Sequence, residues 1–242
     1  MIYVGTCGFC ERIKSYFNDY ETVEIQKTFY RIIEEKTLLK WKKMSPSGFI
    51  FNFKVFQGIT HPKTSPTWKR SNLKLDKLGE VGNLTPNTQV MNFWKRMLRY
   101  QKILEAKVLV IQLPRSFDDT EKNISNAEKF FEKIERGNFE IGIELRGWGV
   151  ENIKKLCRKY DLIDVTDPIY RMPLSKKKKY YFRLHGMQKN GRIDYRYEYT
   201  KKDLLTIKNK ILSLKAKEIY LMFNNVQMKK NSKEMKEILK LK

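Results

Sequence analysis

The chain has 242 residues, of which 41% are hydrophobic and 13% aromatic, so it can form a sizeable core and is not a largely disordered protein. Its 50 lysine and arginine residues outnumber its 27 aspartate and glutamate residues, which leaves a formal net charge of +23. Such a charge attracts polyanions, although lysines on the outer faces of helices serve solubility equally well. No apolar stretch approaches the roughly 18 residues that a membrane span requires.

The cysteine content and the N-terminal segment indicate a compartment. Three cysteines are too few for the disulfide framework of a small secreted protein. The first residues contain no basic segment before a long apolar run, so we expect no signal peptide. We therefore expect a cytoplasmic protein that does not associate with membranes.

Eight short runs rich in Val, Ile, Phe or Tyr recur along the chain, and such runs are typical of β-strands. They cover residues 2–6, 22–26, 50–55, 108–113, 141–146, 162–167, 180–185 and 219–224. Most of the intervening segments carry helical periodicity or a helix-capping pattern. The predicted helices cover residues 35–43, 89–104, 120–134, 150–160, 201–214 and 232–241.

Alternating strands and helices predict parallel strands joined by crossover helices. Eight strands favour the α/β class in its closed form, a (β/α)₈ TIM-type barrel, over an open sheet. We expect a single domain over residues 1–242, because no polar linker divides the chain. Residues 58–88 predict a long irregular loop after the third strand, and residues 168–179 look irregular as well. Long loops that follow barrel strands lie at the catalytic face.

Alternation within the predicted strands places charged side chains on one face. Ile143 and Leu145 face one side of the fifth strand, and Glu144 and Arg146 face the other. The second, third, fourth and seventh strands alternate in the same way, so charges are expected to converge at the C-terminal mouth of the barrel. An isolated buried charge costs several kcal/mol, so these groups must pair with one another, with a ligand or with water. They form either a functional site or a structural network of ion pairs.

Several short motifs occur in the same order as in a known family. They are residues 4–9 (V-G-T-C-G-F), 22–30 (T-V-E-I-Q-K-T-F-Y), 53–55 with 59–61 (F-K-V, I-T-H), 112–114 (Q-L-P), 143–146 (I-E-L-R), 167–168 (D-P), 183–186 (R-L-H-G) and 223–225 (F-N-N). Together they resemble the DUF72 (YecE-like) family across nearly the whole chain. The resemblance implies a TIM barrel and brings no established reaction with it. Gln26 departs from the Asn usual in this family, and the segment after Arg146 is shortened to Gly147 and Trp148.

Four residues are the candidates for catalysis. Glu24 and Glu144 are candidate general acid and base groups, because two carboxylates in different surroundings hold different pKa values. His185 suits a proton shuttle or a metal ligand. Lys54 suits charge neutralisation, or a Schiff base if burial lowers its pKa. Each of them also fits a purely structural ion pair or hydrogen bond.

Polar residues at the strand ends are the candidates for substrate binding. The guanidinium groups of Arg146 and Arg183 suit a phosphate or carboxylate. The full predicted set is Thr6, Gln26, His61, Gln112, Arg146, Arg183, Asn224 and Asn225.

A metal site is a further hypothesis. Glu24, Glu144 and Asp167 are candidate oxygen ligands for Mg²⁺ or Mn²⁺. Cys7 and Cys10 have C-x-x-C spacing, but no second such pair follows, which excludes a four-cysteine site within one chain. No nucleotide or organic cofactor is implied.

Basic residues flank the seventh strand and alternate with tyrosines. Charge for a phosphate backbone and rings for base stacking suit single-stranded nucleic acid. The alternative is a solvated loop whose tyrosines pack on the rim. The predicted nucleic-acid-binding residues are Lys176, Lys177, Lys178, Lys179, Arg192 and Arg196.

These observations favour an enzyme that acts on an anionic, phosphate-bearing substrate, DNA or RNA among the candidates. Its most concrete form is a metal-assisted phosphodiester hydrolase. Two alternatives stay open: a non-enzymatic barrel that binds nucleic acid, and a metal-independent sugar-active or lyase-type barrel.

Overall fold

A computed structural model describes residues 1–189 and 192–241. Eight parallel strands form one sheet, and their bounds are β1 (Ile2–Cys7), β2 (Thr22–Ile25), β3 (Ile50–Lys54), β4 (Val108–Gln112), β5 (Glu140–Glu144), β6 (Ile163–Asp164), β7 (Lys179–Leu184) and β10 (Glu218–Phe223). A short antiparallel hairpin follows β7, formed by β8 (Met187–Lys189) and β9 (Arg192–Asp194). The helices are α1 (Ile13–Asp19), α2 (Lys27–Tyr30), α3 (Glu35–Met44), α4 (Gln57–Thr60), α5 (Thr88–Leu104), α6 (Glu121–Lys133), α7 (Val150–Lys159), α8 (Lys201–Leu212) and α9 (Met228–Leu239).

The strand order confirms the predicted α/β barrel. Strands β1 to β6 pair consecutively up to the β5–β6 pair, β1 also pairs with β10, and β10 pairs with β7. A parallel bridge between Thr166 and Phe182 joins the β6 and β7 edges, so the barrel is nearly closed. Across the described residues, no helix has the length and apolar character needed to cross a membrane.

Side-chain alternation divides the core into two layers, as it does in other barrels. Outward-facing residues of the strands pack against the helices, with Phe51, Phe53 and Leu109 fully buried there. The middle of the lumen is mainly apolar and contains Val110 and Met222. Charged side chains lie at both ends of the lumen side, Glu144 and Arg183 at the C-terminal end and Glu140 and Lys179 at the N-terminal end.

The predicted elements differ from the observed ones mainly where segments are short. Helices α1, α2 and α4 were not predicted, because four to seven residues carry too few turns for a helical period to show. Helix α9 begins at Met228 instead of residue 232, and β6 is only two residues long. The hairpin β8–β9 was expected as a loop.

The segment after β3 is ordered in spite of its irregular sequence. It contains α4 and two 3₁₀ turns, Pro66–Arg70 and Leu75–Lys77. Trp68 anchors it, since its ring is buried and its Nε1 donates to the Pro62 carbonyl oxygen at 2.9 Å. The anchor holds His61 at the barrel mouth.

Candidate functional site

Arg183 is the centre of a charged cluster at the C-terminal mouth. Its side chain is only 1% exposed. Its Nη1 donates to Glu144 Oε2 at 2.5 Å and to Gln112 Oε1 at 3.2 Å. Its Nη2 lies 3.0 Å from Glu24 Oε1 in an ion pair that lacks hydrogen-bond geometry. One guanidinium group thus balances two buried carboxylates from β2 and β5, which makes their burial tolerable.

Glu24 is fully enclosed and its oxygens are occupied. The Tyr181 hydroxyl donates to its Oε2 at 2.9 Å, and the Gln26 side-chain amide donates to its Oε1. Burial, reinforced by the charge of Glu24, raises the pKa of Tyr181 well above its usual value, so the hydroxyl keeps its proton. Glu24 therefore accepts hydrogen bonds from Tyr181 and Gln26 and forms an ion pair with Arg183.

Glu144 is ionised despite its burial. Arg146 Nε donates to its Oε1 at 2.6 Å, on the side opposite Arg183. Burial alone would raise its pKa, but the charges of Arg146 and Arg183 outweigh that effect and hold the pKa well below its usual value. Glu144 is therefore a permanent anion at neutral pH and is unsuited to donate a proton there.

His185 is neutral and held on both ring nitrogens. Its Nδ1 lies 2.9 Å from the Asn224 side-chain amide, and its Nε2 lies 3.2 Å from Arg146 Nη2. Glu144 Oε1 is 3.4 Å from the same Nε2. Burial lowers the pKa of His185 to about 4 in spite of Glu144. The ring can accept or pass a proton, but it carries no charge at neutral pH.

Lys54 ends β3, and its amine forms no ion pair with a carboxylate among the residues that the structure describes. The residue is 5% exposed, and its Nζ lies 3.4 Å from the centroid of the Phe29 ring. Burial and then the Arg183 charge lower its pKa well below the usual value, although Glu144 and Glu24 act in the opposite direction. His61 packs on the same Phe29 ring, and burial lowers its pKa to about 3.

Asp167 is the acid in the mouth whose pKa lies near neutrality. Burial raises its pKa to about 7, in spite of hydrogen bonds from the backbone amides of Ile169 and His185. It is 9% exposed, so solvent and ligands reach it. A group of this kind exchanges a proton readily at neutral pH.

A cavity of about 650 Å³ opens over the β5 to β7 side of the mouth. Glu144, Asp167 and His185 line it. Most of the other lining residues follow the strands in loops without a recognisable sequence pattern, so they were not predicted as site residues. These are Arg115, Trp148, Tyr170, Arg171, Gln188 and Tyr195, together with Arg192, which was predicted only as a nucleic-acid contact.

Two predicted substrate-binding residues do not join the cluster. Thr6 faces α1, where its hydroxyl donates to the Gly8 carbonyl oxygen at 2.6 Å and contacts the Tyr16 hydroxyl. Asn225 ties the loop after β10 to α9, donating to Asn231 Oδ1 at 2.9 Å. The structure does bring together Gln26, His61, Gln112, Arg146, Arg183 and Asn224 with Glu24, Lys54, Glu144 and His185.

The predicted nucleic-acid-binding residues are divided between the two ends of the barrel. Lys179 begins β7 and lies near Glu140 and Glu218, the first residues of β5 and β10. Lys177 pairs with Glu140 at 3.1 Å and with Asp161 at 2.8 Å. Lys176 and Lys178 are exposed beside them. Arg192 lines the cavity at the opposite end, and Arg196 is exposed near it.

The predicted metal ligands are not gathered into one donor set. Glu24 and Glu144 both face Arg183, and both oxygens of Asp167 accept backbone amides. Within residues 1–189 and 192–241, no three His, Cys, Asp or Glu side chains are arranged to hold a metal ion. Cys7 and Cys10 are free thiols.

Fold and site together define an α/β barrel with a buried, arginine-centred charge cluster at its C-terminal mouth. Residues 3–242 match the model of the family described as protein of unknown function DUF72, and the chain belongs to this family. The resemblance inferred from the sequence motifs is thereby confirmed.

Known relatives agree with this assignment. UPF0759 protein YunF of Bacillus subtilis is 21% identical, with 99% of this chain and 95% of the relative covered. A DUF72 family protein from Enterococcus faecalis superimposes with a TM-score of 0.78 at 18% identity, covering 100% of this chain and 96% of the other. A D-psicose 3-epimerase, solved in the presence of D-fructose, gives a TM-score of 0.55 at 7% identity over 93% of this chain and 90% of the other. These structural likenesses establish the barrel fold.

Proposed function

We propose that the protein is an enzyme that binds a compact, phosphate-bearing substrate in the cavity at the barrel mouth. The observation that carries this proposal is the charge of the cavity wall. Four guanidinium groups line it, against the carboxylates of Glu144 and Asp167, and one of the four, that of Arg171, is paired with the buried carboxylate of Asp164. Glu144 is already paired with two arginines, and burial raises the pKa of Asp167 to about 7, which reduces its negative charge at neutral pH. The wall therefore attracts an anion, and planar guanidinium groups match phosphate oxygens.

The dimensions of the cavity support a small molecule or one end of a larger one. Its volume of about 650 Å³ falls within the range of small-molecule sites. Trp148, Tyr170 and Tyr195 add aromatic surface for a sugar or a base. The D-psicose 3-epimerase with the same fold was solved with a sugar present, which supports phosphorylated sugars as first ligands to test.

Proton transfer is the chemistry that the wall offers. Asp167 is suited to protonate a leaving oxygen, and neutral His185, held by Asn224 and Arg146, adds a fixed polar group beside it. The arginines would neutralise the charge that develops on the phosphate. Phosphodiester hydrolysis is the most concrete reaction of this type. This form of the reaction uses no metal ion held by Glu24 or Glu144, because both carboxylates form ion pairs with Arg183.

Hydrolysis of bis(p-nitrophenyl) phosphate tests this reaction directly. We expect Asp167→Asn to lower kcat/KM by about 100-fold or more, the usual scale for loss of a general acid. Lys178→Met is the matched control, because Lys178 is exposed at the opposite end of the barrel. Unchanged turnover in Asp167→Asn would overturn the assignment of Asp167. Parallel reactions with EDTA, Mg²⁺ and Mn²⁺ show whether a metal participates.

Binding is measured separately from turnover. Inorganic phosphate and sugar phosphates should raise the melting temperature of the protein, and Arg192→Met should reduce that shift. Labelled single-stranded RNA and DNA, titrated over a salt series, test the alternative of a nucleic-acid-binding barrel. Salt-sensitive nucleic-acid binding that Lys178→Met weakens and Arg192→Met does not would favour that alternative.

A further inference from the structure

Exposed apolar side chains gather at the cavity of the barrel mouth. Val150, Tyr170 and Tyr195 line the cavity and are 45%, 43% and 42% exposed. They are three of the eight large hydrophobic side chains that are exposed among the described residues, so this kind of surface is concentrated here. Trp148 adds a further ring to the same lining. Apolar surface that is grouped at a cavity marks a binding site, whereas singly scattered apolar residues need no explanation.

Each of the three aromatic rings is held by a contact of its own. The Trp148 ring stacks on Phe117, with the ring centroids 5.9 Å apart and the planes 18° from parallel. The Tyr170 hydroxyl donates at 3.0 Å to a carbonyl oxygen in the segment after β7. The Tyr195 ring stands nearly perpendicular to the His185 ring, with the centroids 5.9 Å apart. Rings that are already fixed lose little conformational entropy when a ligand binds to them.

Few uncharged groups of the cavity can hydrogen-bond to a ligand. Among the described residues they are Thr166 and Gln188, apart from His185 and the ring residues. The Thr166 hydroxyl already donates to the Arg171 carbonyl oxygen at 3.2 Å. The remaining uncharged lining residues are aliphatic, namely Leu145, Val150, Ile153, Val165 and Ile193. A sugar hydroxyl buried there would lose its hydrogen bonds to water, whereas the face of an aromatic ring has none to lose. The lining therefore favours a planar aromatic group over a second sugar.

A guanidinium group and an aromatic ring lie close together in the chain at one edge of the cavity. Arg192 belongs to β9, and Tyr195 follows that strand directly. Both line the cavity, and three residues of chain span roughly 10 Å at most. The phosphate and the base of a nucleotide are separated by one sugar, so both can meet this hairpin at once. Arg146, with a quarter of its side chain exposed, supplies a second guanidinium group next to the His185 ring.

We propose that the substrate of this cavity is a nucleoside phosphate, whose phosphate contacts the guanidinium groups and whose base stacks on the aromatic rings. The inference rests on the proposed function for the binding of the phosphate. It extends that function by naming the substrate class, because a base covers the aromatic and aliphatic lining that a sugar phosphate leaves open. The cavity volume of about 650 Å³ is sufficient for one nucleotide.

Isothermal titration calorimetry on the full chain at pH 7 tests the contribution of the base. AMP and UMP are compared with ribose 5-phosphate, which has the sugar and the phosphate but no base, and with adenosine, which has no phosphate. We expect both nucleotides to bind more tightly than ribose 5-phosphate by about tenfold or more, which is the usual effect of stacking one base on an aromatic side chain.

Tyr195→Leu tests where the base lies. Tyr195 is 42% exposed, so its replacement should leave the fold intact. We expect this variant to lose about tenfold in affinity for AMP and to bind ribose 5-phosphate as the wild type does. Tyr160→Leu is the matched control, because Tyr160 follows α7 and precedes β6 at the opposite end of the barrel. Tight AMP binding that Tyr195→Leu leaves unchanged overturns the placement of the base.

The same ligands separate this inference from the proposed function. Equal binding of AMP and ribose 5-phosphate overturns the base and leaves phosphate binding standing. Adenosine that binds as tightly as AMP supports the stacking of the base and overturns the phosphate contact on which the proposed function depends. Absence of binding by all four compounds overturns both proposals.

Photolabelling of the wild-type protein locates the base without any variant. Azidoadenosine monophosphate is photolysed in complex with the protein, and labelled peptides are identified by mass spectrometry. We expect labels on the peptides that contain Tyr170 or Tyr195, and excess AMP should prevent them. Labels found only on peptides outside the cavity overturn the proposal.

Discussion

Arg183 Nη1 and Glu144 Oε2 form a 2.5 Å ion pair in which the two side chains are 1% and 8% exposed. The pair spans the barrel from β7 to β5, and the same guanidinium group also balances Glu24. Because all three groups are nearly excluded from water, loss of Arg183 would leave Glu24 without a cation, and loss of Glu144 would remove the partner that Arg183 shares with Arg146. Substitutions in this cluster should therefore change the stability of the fold.

Removing the carboxylate should therefore destabilise the fold strongly. We expect Glu144→Gln to lower the free energy of unfolding by about 3–5 kcal/mol, because Arg183 loses its closest anion. Urea unfolding followed by circular dichroism measures the change. The double variant Glu144→Gln, Arg183→Met should be less stable than Glu144→Gln alone, because it also leaves the buried Glu24 carboxylate without its cation. Glu151→Gln, which breaks an exposed pair with Lys154, should have no measurable effect.

Asp167 should make the fold less stable as pH rises. Its pKa is raised from 3.8 in the unfolded chain to about 7, so between these values the folded state binds more protons than the unfolded state. The effect of Asp167 on the free energy of unfolding is absent below about pH 4 and grows to a destabilisation on the order of 4 kcal/mol above pH 7. Unfolding free energies of wild type and Asp167→Asn, compared from pH 4 to pH 8, should diverge over this window. If the unfolding free energies of the two proteins depended on pH in the same way, the raised pKa of Asp167 would be contradicted.

His185 should act in the opposite direction. Its pKa is lowered from 6.5 to about 4, so the unfolded chain binds a proton as pH falls through 6.5 while the folded chain does not. The fold therefore loses stability as pH falls from 6.5 to about 4, which partly cancels the effect of Asp167 in wild type.

The chain contains only two histidines, so NMR can follow both. The imidazole resonances of His61 and His185 should not shift between pH 8 and pH 5.5, because both pKa values lie near 3 to 4. The same chain in urea serves as the control and should titrate near pH 6.5. A midpoint near 6.5 in the folded protein would show that the ring is not desolvated.

Gly186 should be required for the hairpin that borders the cavity. Its φ is +106°, and a Cβ there would lie 2.2 Å from the Asp194 carbonyl oxygen. We expect Gly186→Ala to cost about 1–3 kcal/mol in backbone strain and to displace Arg192 and Tyr195, with loss of the phosphate-induced melting-temperature shift. Gly79→Ala is the control, since a Cβ meets nothing within 4 Å there. Equal behaviour of the two variants would contradict this role.

The barrel was predictable from the chain because its signals are local. Strand runs with period-2 alternation and long amphipathic helices such as α5 repeat their pattern over enough residues to be read without tertiary information. The same alternation placed Glu24, Glu144 and Arg183 on the lumen side correctly. Thr6 was predicted from the loop after the first strand and not from alternation, which places it opposite Cys7 and towards α1, where it lies.

Contacts between distant segments decided the rest. The sequence indicates two carboxylates, two arginines and a lysine near one mouth, but not that Arg183 takes both carboxylates and leaves Lys54 against Phe29. The raised pKa of Asp167 likewise arises from burial by segments far away in the chain. Local patterning specifies which face a side chain occupies, whereas its charge state depends on desolvation and on neighbours that only folding brings together.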